Sequence, residues 1–385
     1  MVETKHLIIF LILFIFICKI NNNKVFEHLK IIELNKTGYH RCNSYPIGTI
    51  NGKILKNRGQ TRNNDDWYWY FPCGYNDAEN EIKKINIKDN TQKIFIIDGC
   101  DYIVSKFTLW QILKLKYGRD KASTILPNSF LSYKKNDLNE FWNFYNKQMT
   151  KNKYSKFILK KDIQRKEGIN LVRSKEKIDK LINEDKYVIQ EYLNDPLTID
   201  GHKVNLRYYL LIVCGKGKKK AFLHSNGVTH YTLEKYDQNS LDFYKNITSS
   251  YEDRGEYEKL YKNKPFSVNE FHHYLKVNNY DLKKYIKNLL KCLNLVLDAS
   301  QEFICNKHKN NVKFQLFGCD IAPDKFMGVK LMEFNKGPNM IPRNESDTNV
   351  KLKVVGDILD IVDDQNIIDI EEENNFNKIW EVNVE

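Results

Sequence analysis

The chain has 385 residues, a net charge of +12 from 61 Lys+Arg against 49 Asp+Glu, and 42% hydrophobic residues including 23 Tyr and 21 Phe. That apolar content excludes a disordered chain, and the length suffices for two or three subdomains with their own cores. The positive balance suits an acidic partner: a nucleotide, anionic lipid, nucleic acid or an acidic protein tail.

In chain order, residues 1–30 carry the apolar run Leu7 to Cys18. It is shorter than the roughly 17 residues of a spanning helix, yet no small-x-small cleavage site follows it. An uncleaved membrane anchor is therefore expected. Lys19, Lys24, Lys30 and Lys36 follow the run while only Lys5 precedes it, so the large C-terminal part is expected in the cytosol. Residues 31–98 read as an N-terminal subdomain of short strands and loops, with Asp65 to Pro72 as aromatic core packing. Residues 99–193 form a central subdomain. Strands are expected at Lys156–Asp162 and Tyr187–Leu193, with an exposed helix between them. Residues 194–385 hold a long strand "KVNLRYYLLIVC", a turn, a partner strand, a long amphipathic helix, a hairpin and an acidic helical tail. The eight cysteines form no C-x-x-C pair, so unpaired thiols in a reducing compartment and no zinc site are expected. His272 and His273 lack further spaced ligands.

The hairpin carries the chemistry. Alternation puts Glu333 and Asn335 on one face of its second strand, and pairing across the Pro-Asp turn brings Asp320 beside them. Three hard oxygen donors suit Mg²⁺, which takes a few carboxylates together with phosphate oxygens. Upstream, Lys160 ends an apolar strand, and Lys203, Asn205 and Arg207 alternate on one face of another, giving cations for an anion. The stretch "IQEYL" offers backbone edges to an adenine.

These stretches resemble the tubulin-tyrosine-ligase-like family, through "YVIQEYLNDPLTIDGHKVNLRYYL", "FLHSNGVTHYTLEKYD" and "FQLFGCDIAPDKFMGVKLMEFNKGP". The resemblance runs from about Asp65 to Arg343 and implies an α/β ATP-grasp fold with ATP held between two antiparallel sheets. It also implies ATP- and Mg²⁺-dependent joining of a free amino acid to a protein carboxylate through an acyl phosphate. By the same resemblance, Asp320, Glu333 and Asn335 match the metal ligands and Lys106 and Lys160 the phosphate lysines. Gln190, Glu191, Tyr192 and Leu193 match the adenine hinge. Lys203 and Arg207 match catalytic residues beside the outer phosphates, and Thr248 a nucleotide-lining threonine. His230 stands where an arginine grips the amino acid's carboxylate. Asn205 replaces an aspartate, the loop after Lys160 keeps only Gly168, and Ser249 replaces an asparagine. The acceptor expected is an acidic protein such as the tubulin C-terminal tails. A scaffold without turnover is the other reading, but it has no physical need for three metal ligands. No recognised nucleic-acid-binding module accompanies the charge.

Overall fold

The computed structural model describes residues 38–383 except 43–46, 75–77, 163–167, 249–253, 309 and 364–373. In chain order its strands are β1 (Tyr39–His40), β2 (Trp69–Tyr70), β3 (Lys93–Ile94), β4 (Ser129–Leu131), β5 (Phe157–Lys160), β6 (Ile169–Val172) and β7 (Val188–Glu191). There follow β8 (Thr198–Ile199), β9 (His202–Gly215), β10 (Lys218–Tyr231), β11 (Val312–Pro323), β12 (Val329–Lys336) and β13 (Phe376–Asn383). The larger sheet runs β1-β2-β3-β11-β9-β10-β13, with β12 paired to β11 and β8 to β9; the smaller runs β4-β7-β5-β6. Two sheets with helices packed on them fit the ATP-grasp expectation. The larger sheet is mixed rather than purely antiparallel, because β1, β2, β3 and the start of β11 pair in parallel.

Strand β9 explains why one patch of this sheet stays polar. Val204, Leu206, Tyr208, Leu210 and Ile212 alternate into the core shared with the helices Val268–Val277 and Leu282–Ser300. The latter helix is capped by Asp281, whose side chain accepts the Lys284 N–H, and it buries Tyr285, Leu289, Cys292, Leu293 and Val296 at helical spacing. Each such apolar side chain contributes about 1.5–3 kcal/mol. On the other face, Tyr209 and Leu211 join a second core with the helices Thr49–Asn57 and Glu345–Asp363. The first turns of that face, at Lys203, Asn205 and Arg207, lie outside this apolar cluster.

The aromatic stretch behaves as expected: Trp67, Trp69, Tyr70 and Phe71 are all buried. Three expectations are corrected. No helix among the described residues is long and apolar enough to cross a membrane, which overturns the membrane-anchored, cytosol-facing placement. The run Leu7 to Cys18 itself lies outside the described residues. Second, Cys42–Cys73 and Cys214–Cys305 are disulfide-bonded, across 31 and 91 residues, where unpaired thiols were expected. Third, the tail is not helical throughout, since β13 pairs antiparallel with β10.

The register of β10 on β9 shifts between Leu223 and Gly227, and a Cβ at Gly227 would lie 2.2 Å from the Arg207 carbonyl oxygen. Backbone cannot yield as a flexible side chain can. Gly227→Ala should therefore destabilise the fold by at least about 2 kcal/mol, read as a lower midpoint in urea unfolding; an unchanged midpoint would show that the bulge accommodates a methyl group.

Candidate functional site

Alternation along β9 sets one wall. Its polar face carries across the sheet by register: His230 lies opposite Asn205, Asp320 opposite Arg207, Glu333 opposite Asp320, and Asn335 opposite Gly318. Lys203, Asn205, Arg207, His230, Asp320, Glu333 and Asn335 thus share one face. The small sheet supplies the other wall. Phe157, Leu159 and Ile189 pack with Phe141 and Ile178 of the helices Lys135–Lys151 and Lys175–Glu184. Ile158, Lys160, Gln190 and Tyr192 therefore turn the other way.

The charges are interleaved. Arg207 donates from Nε to Asp320 Oδ1 at 2.6 Å and from Nη2 to Oδ2 at 2.7 Å. Gly318 admits this approach, since a Cβ there would already meet Arg207 Cδ at 3.0 Å. Lys106 Nζ stands 3.5 Å from Glu333 Oε2, and Asn335 Nδ2 donates to Glu333 Oε1 at 3.1 Å. Lys106 opens the helix Lys106–Ile125, capped by Ser105; Asp162 accepts both the Ser105 hydroxyl and the Lys106 N–H, at 2.6 and 2.9 Å. Burial pushes the Asp320 carboxyl up; Arg207 draws it back, and the adjacent Glu333 leaves it raised. Burial also pushes Glu333 up, but Lys106, Lys160, Asn335 and Arg207 together bring it below its ordinary value.

The lysines are the most strained charges. Lys203 is 4% exposed and donates to the Tyr192 hydroxyl and the Asn246 carbonyl, both at 3.3 Å. Burial, then Lys156 and Lys160, push its pKa down to about 7. Burial lowers Lys160 to about 8, against a raising pull from Glu333. Lys156, also buried, donates to the Asp237 and Ser240 carbonyls at 3.2 and 2.9 Å and to Asn246 Oδ1, with its ammonium 4.4 Å from the Tyr192 ring. Lys156 did not stand out in the sequence, because it flanks a strand like any solvated lysine and its partners lie 81 to 90 residues away. Tyr236, stacked parallel to Tyr192 at 6.4 Å, belongs to the same group.

The hinge is partly committed already. Glu191 N–H goes to Asn128 O and Tyr192 N–H to Lys156 O, so these bonds leave Leu193 as the hinge backbone not engaged by them. The Glu191 side chain shares its strand parity with Ile189 and so faces away from Gln190. Thr248 is held by Asn205, whose Nδ2 donates to Thr248 Oγ1 at 3.0 Å. Residues 163–167, most of the loop between Lys160 and Gly168, and Ser249 lie outside the described residues. His272 Nε2 sits 3.0 Å from the Tyr208 hydroxyl, and burial lowers its pKa to about 4.

The donor set fits the expected metal: two carboxylates and a carboxamide on adjacent strands are hard oxygen ligands. A polar ligand is also called for by two buried acceptors without hydrogen-bond partners, Asn205 Oδ1 and Gln190 Oε1.

Unfolded, Lys203 titrates near its ordinary 10.5; folded, near 7. Between those values the unfolded chain binds more protons, so stability rises with pH from 7 towards 10, by at most about 1.4 kcal/mol per pH unit for one lysine. Lys203→Met should flatten this rise, measured by urea unfolding of the ligand-free protein at pH 7, 8 and 9. An identical slope in the variant would mean that Lys203 keeps its proton in the folded protein over this range.

The sequence matches the family described as the tubulin-tyrosine ligase family over residues 85–373. It is 24% identical over 301 residues to the tubulin polyglutamylase TTLL7 of Mus musculus, covering 72% of this chain and 32% of the relative. To the probable tubulin polyglutamylase TTLL2 of Homo sapiens it is 27% identical over 327 residues, covering 79% and 51%. The protein polyglycylase TTLL10 of Macaca fascicularis is 28% identical over 184 residues, covering 45% and 29%. The chain thus spans at most about half the length of these relatives.

Proposed function

The chain belongs to the tubulin-tyrosine ligase family, and from that premise we propose that it is an ATP- and Mg²⁺-dependent ligase joining a free amino acid to a carboxylate of an acidic protein. The observation carrying this reading is the shared face of β9, β10, β11 and β12, where cations for phosphates and oxygens for a metal stand side by side.

In this reading Lys106, Lys160, Lys203 and Arg207 bind the phosphates of ATP. Asp320, Glu333 and Asn335 would hold Mg²⁺, which when bound drains charge from the transferring phosphoryl group. The acceptor carboxylate attacks the γ-phosphorus, ADP leaves and an acyl phosphate results; the amine of the incoming amino acid then attacks the acyl carbon, displacing inorganic phosphate and losing a proton to form the amide. Arg207 and Lys106 now neutralise the two carboxylates; on nucleotide binding they would turn from Asp320 and Glu333 towards phosphate oxygens. The Gln190 side chain and the Leu193 backbone line the adenine side, the Glu191 side chain faces away from it, and Thr248 is positioned by Asn205. The names of the relatives make tubulin the acceptor to test first and glutamate the first co-substrate, with glycine next. The +12 charge supports an acidic acceptor by steering association.

Incubating the protein with ATP, Mg²⁺, tubulin and glutamate should add glutamyl-residue masses, each one water less than free glutamate, to the tubulin tails. Glu333→Gln should lower turnover on the order of 100-fold and raise the Mg²⁺ concentration needed for half-maximal rate. Unchanged turnover at limiting Mg²⁺ would remove Glu333 from the metal site.

His230 lies on the site face beside Asn205. A guanidinium there would hold an α-carboxylate with a permanent charge and two donors, whereas an imidazole offers fewer. His230→Arg should lower the amino-acid KM and leave the ATP KM unchanged. If both His230→Arg and His230→Ala keep the amino-acid KM, the residue does not meet the co-substrate.

A further inference from the structure

Away from this site, on the opposite edge of the large sheet, the segments after β1 and β2 bring Cys42 and Cys73 to Glu81. One sulfur from each cysteine and a carboxylate oxygen of Glu81 all lie within 4.8 Å of one another, and all three residues are half-buried. Local spacing hides the group, since 31 residues separate the two cysteines. We propose that, once the Cys42–Cys73 bond is reduced, these three side chains bind a thiophilic divalent cation, Zn²⁺ by its preference for thiolate, imidazole and carboxylate.

Three features argue for a site beyond a structural crosslink. The Glu81 carboxylate is already oriented: Cys73 N–H donates to Oε1 at 2.8 Å and to Oε2 at 3.0 Å, and the Tyr70 hydroxyl donates to Oε1 at 2.7 Å. Such outer contacts fix a ligand before the metal arrives. The pair Cys42–Cys73 differs in this from Cys214–Cys305, which is in no such cluster among the described residues. Finally, His40, two residues before Cys42, stacks on Tyr70 at 4.4 Å and has a buried Nδ1 without a hydrogen-bond partner. Water completes a four-coordinate shell.

The chemistry balances. A dithiol reductant gives two electrons and two protons to the Cys42–Cys73 bond and itself becomes a disulfide, leaving two thiols. The cation then displaces both thiol protons to solvent and binds two thiolates and one carboxylate. Oxidation reverses the sequence and releases the metal, so occupancy follows the thiol poise of the surroundings.

The test uses the full chain, reduced with a phosphine and titrated with Co²⁺ as a spectroscopic stand-in. One equivalent should produce a thiolate-to-cobalt absorption band that one equivalent of Zn²⁺ abolishes. The oxidised protein, identical in sequence and fold, should give no band. Cys42→Ser/Cys73→Ser should lose it, Glu81→Gln should weaken binding at least about tenfold, and Cys214→Ser/Cys305→Ser should retain it. Absence of the band in the reduced wild type overturns the proposal. So does its persistence in the oxidised protein or in Cys42→Ser/Cys73→Ser, either of which would put the metal elsewhere.

Discussion

The two-pronged contact between Arg207 and Asp320 is the interaction on which the site depends. Two carboxylates, Asp320 and Glu333, lie half-buried on neighbouring strands, and each alone would be costly there. Arg207 offsets the first and Lys106 the second. Arg207 is supplied by β9, which has β11 on one side and β10 on the other, with a helix-packed core on each face. The apolar cores hold the strands rigid enough to keep unlike charges in register, and the register in turn keeps like charges from meeting unpaired. A one-residue slip of β9 would send Arg207 into the core of Tyr208 and Leu210 and strand Asp320 beside no cation.

The readable part of this arrangement came from alternation. The positions 203, 205 and 207, the hairpin 312–336 and the step from Asp320 to Glu333 follow from period-two patterning and a Pro-Asp turn, and the structure pairs Asp320 with Glu333 directly. The long helix after Asp281 is equally plain in its apolar spacing. What escaped has a common physical cause: it depends on contacts distant in sequence. Lys156 is buried only because Asp237, Ser240 and Asn246 fold over it. Cys42 meets Cys73 only because β1 and β2 run parallel, side by side. Strand β13, with Asn, Lys and Glu on its exposed positions, carries too little alternation to be seen without its partner β10.

Asn205 ties these strands of argument together. An aspartate at this position would place a negative charge on the same strand face as Lys203. With a carboxamide there, burial above all, and then the cations Lys156 and Lys160, act on Lys203, and its pKa falls to about 7. The same substitution reverses the hydrogen bond to Thr248. A carboxylate can only accept, so it would take the threonine's proton; the Asn205 amide donates instead, and the Thr248 hydroxyl keeps its proton for another acceptor. The site therefore gains a donor and loses a negative charge while leaving Asn205 Oδ1 buried and unsatisfied. Each change favours a ligand richer in negative charge, and a polyphosphate bound here would restore to Lys203 the full protonation that burial among lysines takes away.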